Sequence, residues 1–325
     1  MKNDDPSVPN VIKRLAHLLG TEVKNRKLEI PERFGTGHCA GFVFNAHIRM
    51  LICNYELNEN LIINNPDVDV SKRTLFFKFQ NIFPKEETLP SARLLTEMPS
   101  VLIATSRINT DEVIAIHSNA ATINIEVNAD YLSELFDLPQ KSPVLQSLLQ
   151  NTQPLLFEQL IYPSLENIVN EILTEQVDET FKLFFLRIKA EELICRLLME
   201  LEERDEKHLY ALNSADIQTI YRIKEQMIER LDRPPVIKEI AVHAGMSPTK
   251  LKRLFKQIFG DSIFSYYQNF RMKKAALLLE KESLSVSDVG YRLGFTNLSH
   301  FSRVFEEHIG MKPKQYSRFR TSLSK

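Results

Sequence analysis

The sequence predicts an α+β chain: strands in front, helices in the middle, and an all-helical back made of two helix–turn–helix units. Three observations carry this. Short segments rich in Val, Ile, Phe and Thr fill the stretch from Leu28 to Val127, punctuated by Asn, Asp, Pro and Gly. The apolar period then lengthens to the helical one, beginning with Leu145, Leu148 and Leu149. Near the C-terminus one apolar-and-basic pattern occurs twice, as MSPTKLKRLFKQIFG from Met246 and as FTNLSHFSRVFEEHIG from Phe295.

Taken in order, VIKRLAHLLG predicts a short helix ended by Gly20. Strands are expected over Gly41–Leu57, Asn60–Asn65, Thr74–Phe83, Ser100–Ile108, Glu112–Ser118 and Ala121–Val127. So many short strands argue for a sandwich or a barrel. In the last of them Ile123, Ile125 and Val127 point one way, and Asn124 and Glu126 the other. After Asn128–Phe136, helical spacing is read at Leu145, Leu148, Leu149 and again at Leu155, Leu156, Leu160. A long helix is predicted over Asp178–Glu206, with Phe181, Phe184, Phe185, Ile188, Leu193, Leu197 and Leu201 in a wide stripe. Such a stripe packs on the strands, pairs with a twin in a second subunit, or does both. Asp205–Asp216 is polar enough to be a linker. The expected organisation is a β-rich region over 1–130, a helical region over 131–210 and a double helix–turn–helix domain over 215–322.

The net charge of −1 hides an asymmetry. Residues 1–214 hold 21 Lys+Arg against 31 Asp+Glu, whereas residues 215–325 hold 20 against 11. An acidic front joined to a basic back suggests a polyanionic partner for the back alone. The three cysteines, Cys39, Cys53 and Cys195, are too few and scattered for a disulfide framework. No window approaches the ~20 apolar residues of a membrane span, and MKNDDPSVPN lacks the apolar centre of a signal peptide. A cytoplasmic chain is the expectation.

The two C-terminal stretches align without strain. Glu239-Ile240-Ala241 and Gly245-Met246-Ser247 match Asp288-Val289-Gly290 and Gly294-Phe295-Thr296 at an offset of 49. Leu251, Leu254, Phe255 and Gly260 match Phe301, Val304, Phe305 and Gly310 at an offset of 50. The apolar anchors and glycines repeat while surface residues drift. In the first unit Gly245 ends one helix, Ser247 caps the next and Pro248 opens it. With Leu251, Leu254, Phe255 and Ile258 inward, Thr249, Lys250, Lys252, Arg253 and Lys256 lie on the polar side. Long cationic side chains on one helix face suit the major groove of double-stranded DNA. In the second unit Thr296 or Asn297 can cap, Leu298, Phe301, Val304 and Phe305 face inward, and Ser299, His300, Ser302 and Arg303 lie on the polar side beside Glu306 and Glu307. That face is less basic and should hold DNA through fewer contacts. The segment Asp261–Ser283 between them reads as a helix of about 30 Å, close to the ~34–36 Å between successive major grooves.

These residues closely resemble the DNA-binding domain of the AraC/XylS family of bacterial transcription regulators. The resemblance rests on IAVHAGMSPTKLKRLFKQIFG, FRMKKAALLLE and VSDVGYRLGFTNLSHFSRVFEEHIGMKPKQYSR, about a third of the chain. It includes the closing Gly310-x-x-Pro313-x-x-Tyr316. NLSHFSR and MSPTKLKRLF also resemble the subgroup of siderophore-uptake regulators. Two departures stand out. Val289-Gly290 replaces the usual Ile-Ala, and a helical glycine costs about 1 kcal/mol, so that helix is expected to be loose. Glu306 replaces a frequent Lys, which weakens the case for phosphate clamping there. The resemblance implies promoter DNA and RNA polymerase as partners. It puts base-facing roles on Thr249, Lys252, Arg253, Ser299, His300 and Arg303. It also implies a front domain shaped as a cupin-like barrel that senses a small-molecule effector, with the helical segment forming a homodimer.

No cofactor, metal or catalytic residue is expected. His38, Cys39, His47, Cys53 and His117 lack tight metal-ligand spacing. DNA-repair methyltransferases with a similar DNA-binding domain need a cysteine cluster and a Pro-Cys pair that this chain lacks. Nine glycines form no phosphate loop. Phe42, Phe44, Phe76, Phe77 and Phe79 read as core more than as pocket lining. A DNA-tethered β-barrel enzyme, and a regulator whose front domain binds a protein, are the competing readings. Whether binding activates or represses stays open.

Overall fold

The structure, a computed structural model, describes residues 5–58, 73–83, 98–108, 119–136, 142–204, 208–281 and 284–323. The chain divides into two compact units, the first reaching Ile217 and the second running from Gln218. The strands expected over Asn60–Asn65 and Glu112–Ser118 lie outside the described residues.

The first unit opens with α1 (Asn10–Leu19), ended as expected at Gly20 with φ 62°. Its strands are β1 (Lys27–Glu29), β2 (Gly35–Val43), β3 (Ile48–Leu57), β4 (Thr74–Gln80), β5 (Ser100–Thr105), β6 (Asn119–Asn128) and β7 (Leu156–Leu160). They form one seven-stranded sheet in the order β1-β2-β3-β6-β4-β5-β7, every pairing antiparallel. Gly41–Leu57 is therefore two strands, not one. Asn45 turns the chain between them, its side-chain oxygen accepting from the backbone N–H of His47 (2.7 Å) and Ile48 (2.9 Å). Leu156–Leu160 is a strand on β5, not a helix. A short apolar run does not reveal its period, and here Pro154 and Pro163 confine it to strand length.

The expected barrel does not close: β1 and β7 stand at the two edges of the described sheet. Helices, not a second sheet, cover its apolar face. These are α2 (Ala129–Leu135), α3 (Pro143–Gln150), α4 (Pro163–Thr174) and α5 (Glu179–Glu202). Met50, Phe77, Phe79, Val101, Ile103, Ile123, Ile125, Val127 and Phe157 from the sheet share one core with Leu148, Leu165, Ile168, Leu193 and Leu197 from the helices. An open sheet with one face sealed by helices has no need to curl onto itself. Phe42, Phe77 and Phe79 are core residues, while Phe44 is partly buried against that core and Phe76 is half-buried on β4. On the opposite face α1 covers β2 and β3, burying Ile12, Leu15 and Leu19 against Leu28, Cys39, Cys53 and Leu57. Glu126 does point away from Ile125 and Val127, yet it is only 6% exposed. Its neighbour across the ladder, Arg49, neutralises it at 2.5 Å.

The helix α6 (Ser214–Glu229) runs across the division at Ile217, and the second unit goes on with α7 (Ile237–His243), α8 (Pro248–Phe259), α9 (Ile263–Lys281), α10 (Val286–Arg292), α11 (Leu298–Ile309) and α12 (Pro313–Leu323). The predicted connector, α9, is the hub of this unit and touches α8, α10, α11 and α12. Its buried residues include Ile263, Tyr267, Phe270, Met272, Ala275 and Leu278. A helix apolar on most of its circumference is one surrounded by others.

Phe77 is fully buried in the sheet's core. Phe77→Ala is expected to cost about 3–5 kcal/mol of unfolding free energy, read from urea denaturation of the first unit's signal.

Candidate nucleic-acid interface

The sequence repeat is reproduced bond for bond. In the turn of the first helix–turn–helix the Gly245 N–H donates to the Val242 carbonyl (3.1 Å) and the Met246 N–H to that of Ala241 (3.0 Å). In the second, Gly294 donates to Tyr291 (2.9 Å) and Phe295 to Gly290 (3.0 Å). Both glycines are left-handed, with φ 62° and 77°. Ser247 caps α8 by accepting from the Lys250 N–H, and Asn297 caps α11 by accepting from Ser299 and His300. Each of these helices has 12 residues and ends on a left-handed glycine, Gly260 or Gly310.

The repeat also runs further than the sequence suggested. Tyr266 on α9 meets the ring of Phe255 edge-on at 5.5 Å. Fifty residues on, Tyr316 on α12 meets Phe305 edge-on at 5.7 Å. The first turns of α9 are thus the counterpart of the closing Gly-x-x-Pro-x-x-Tyr helix. Each unit is three helices, and α9 serves as the third helix of one and the support of the other.

Two interactions lock the second helix–turn–helix onto α9. Arg271 is 5% exposed and donates through Nε (2.9 Å) and Nη2 to the Leu293 carbonyl at the end of α10. Its guanidinium lies 3.8 Å from the centre of the Phe295 ring, and burial lowers its pKa. Next to it the Tyr267 hydroxyl donates to the Leu231 carbonyl at 2.7 Å. Gly294 closes the junction, because a Cβ there would sit 2.1 Å from the carbonyl oxygen of Asp232. Neither Arg271 nor Tyr267 figures among the residues singled out from sequence. In sequence Arg271 is one of several cations on this helix, beside Lys273 and Lys274, and nothing local marks it out.

Gly290 also has a packing reason. A Cβ would come within 2.7 Å of Leu298 Cδ2 and 3.2 Å of Phe301 Cδ1. The glycine that propensity marks as a weak point lets α11 approach α10, and a Ser285–Asp288 capping box holds the start of α10.

The polar faces are left to solvent. On α8 Thr249, Lys252, Arg253 and Lys256 are exposed and Lys250 is half-buried; on α11 Ser299, His300 and Arg303 are exposed and Ser302 is half-buried. Leu251, Leu254, Phe255 and Ile258, and likewise Phe301, Val304 and Phe305, are buried. The faces differ in charge. That of α8 carries several cations, whereas Arg303 on α11 lies 3.9 Å from Glu307, one turn on. Such an exposed pair is worth little and yields readily to a phosphate. Among the described residues no three His, Cys, Asp or Glu side chains group so as to hold an ion. His117 lies outside those residues. No described helix is long and apolar enough to cross a membrane.

An exposed polar helix beyond a tight glycine turn, presented twice, is the arrangement of helix–turn–helix DNA-binding domains. Residues 240–318 match the family model described as a helix-turn-helix domain. The transcriptional regulator GbdR of Pseudomonas aeruginosa is 32% identical over 108 residues, which cover 33% of this chain and 29% of that one. The arabinose operon regulatory protein of Escherichia coli is 35% identical over 80 residues, 25% of this chain and 27% of that one. A solved AraC-type DNA-binding-domain protein from Chromobacterium violaceum is 29% identical, over 33% of this chain and 96% of that one, with a TM-score of 0.31. The chain spans less than a third of the length of these two regulators. Residues 240–318 are a helix–turn–helix domain, similar in sequence to parts of these two regulators.

The two turn glycines separate conformation from packing. Gly245→Ala meets open space and should cost about 1 kcal/mol for its left-handed backbone alone. Gly294→Ala adds the collision with Asp232 and should cost at least about 2 kcal/mol. Chemical denaturation of both variants checks the order.

Proposed function

We propose that the chain is a sequence-specific DNA-binding regulator of transcription, in which α8 and α11 read DNA and the first unit controls the second. The observation that carries this reading is the duplicated helix–turn–helix with a solvent-facing polar helix in each copy. Thr249, Lys252 and Arg253 on α8, and Ser299, His300 and Arg303 on α11, are assigned to base edges. Lys250, Lys256 and Ser302 flank them as phosphate contacts. The more cationic face of α8 supplies most of the affinity, and α11, with Glu306 and Glu307 exposed beside it, refines the register. A chain of this kind acts on transcription through RNA polymerase.

The first unit is assigned to regulation. By likeness to AraC-type regulators its signal is a small molecule. Its long helix α5 exposes Phe181 (64%), Phe184 (66%), Ile188 (44%) and Met199 (65%). The first three recur at spacings of three and four, as in a helix seam. We assign this stripe to pairing with a second copy of the chain, which would bring two DNA-binding domains to one promoter.

Binding-site selection from random DNA, followed by titration of Arg253→Ala on the selected site, tests the DNA reading. The variant should lose about 1–3 kcal/mol and relax one base position, and the wild-type affinity should fall steeply as salt rises. An unchanged base preference would remove Arg253 from its role, and a flat salt response would remove the face. For the pairing, Phe184→Glu should weaken self-association by at least about tenfold in sedimentation equilibrium, a loss of ~1.4 kcal/mol.

A further inference from the structure

Cys39 on β2 and Cys53 on β3 stand directly opposite each other in the antiparallel ladder. The Phe44 N–H donates to the Ile48 carbonyl (3.1 Å) and the Asn58 N–H to the Phe34 carbonyl (2.9 Å). Hydrogen-bonded pairs alternate along such a ladder, so they fall on the even-numbered residues of β2. Cys39 and Cys53 therefore form a non-hydrogen-bonded pair, the kind in which facing side chains come closest. Their sulfurs are 2.7 Å apart, longer than the ~2.05 Å of a disulfide but closer than two unbonded sulfurs rest. Both are free thiols and both are buried, covered by Ile12, Leu15 and Leu19 of α1. The contact with Cys53, and then burial, push the Cys39 thiol pKa well up.

We propose that Cys39 and Cys53 are a dithiol–disulfide couple, a modification site that exchanges with low-molecular-weight disulfides. One cysteine gives up its proton, and its thiolate attacks a sulfur of the small disulfide, releasing one small thiolate. The second cysteine, deprotonated in turn, displaces the other small thiolate from the mixed disulfide. Two S–H bonds become one S–S bond, and the protein loses two electrons and two protons. The small disulfide gains them and leaves as two thiols. No strand has to move far, because the ladder already holds the partners in register. Access requires α1 to lift, so the exchange reports on the opening of that helix. Cys195 on α5 is exposed and stands as an internal control.

The full chain is equilibrated in mixtures of reduced and oxidised glutathione, once folded and once unfolded in urea, then acid-quenched, alkylated and mapped by mass spectrometry. The folded chain should lose the two alkylation sites at Cys39 and Cys53 together and show one peptide pair joined through them. The intramolecular disulfide should be favoured at least about tenfold more in the folded chain than in the unfolded one, since the fold supplies the effective concentration. Cys195→Ser should leave this unchanged, and Cys53→Ser should abolish it. Refolding from urea in the same buffers brings the pair to equilibrium even where α1 opens slowly. An equal or smaller preference in the folded chain, or glutathione adducts on single cysteines in place of the joined pair, would overturn the proposal.

Discussion

The second unit depends on one junction. Arg271, buried on α9, fastens the carbonyl that ends α10 and lies against the ring of Phe295 just beyond the turn. A guanidinium can do both because it is planar, always charged and donates along its edge while its face stays apolar. The desolvation that lowers its pKa is offset by the carbonyl it bonds and the aromatic face it covers. Around it Gly294 admits the carbonyl of Asp232 to a distance no side chain would allow, and Tyr267 ties the adjoining Leu231. The segment leading into the first helix–turn–helix and the turn of the second thus meet at the same few residues of α9. Their positions are fixed relative to one another by burial and not by a tether.

That constraint gives the duplication its use. A single amphipathic helix with a cationic face carries little information, since most such helices are merely solvated. Two of them, each set by the same pair of turn hydrogen bonds and backed by the same aromatic contact, would form a composite probe under the proposed reading of DNA. The asymmetry between the faces follows from the same logic. Because the buried anchors are held by packing, the outward positions are free to diverge. One face has become a cluster of Lys and Arg while the other has acquired Ser, His and acidic neighbours. In the first unit the division of labour is different: the sheet seals one face with α2–α5 and part of the other with α1, and leaves the stripe on α5 exposed.

The legible parts of this chain were those in which a local rule and the global packing agree. Gly245, Ser247 and Pro248 each announce a helix boundary, and the structure uses all three. Ile123, Ile125 and Val127 alternate because only one face of β6 meets the main core. The exposure of Arg253 and Arg303 followed from the burial of Leu254, Phe255, Val304 and Phe305. Features that depend on distant partners were not legible. Leu156–Leu160 is a strand because β5 offers it an edge. The sheet stays open, with helices sealing its apolar face. Gly290, by local propensity a defect, is a point of close approach to Leu298 and Phe301. The clamp formed by Arg271 spans 22 residues, longer than the windows of about 11–18 residues in which local periodicity is read.

Hydroxyl-radical footprinting of the isolated binding site tests the central claim most directly. If α9 holds two reading helices as one body, the purified chain should protect two patches on one face of the duplex, about one helical turn or ~10 base pairs apart, and both should appear over the same range of protein concentration. A single protected patch, or two that fill independently, would contradict the account.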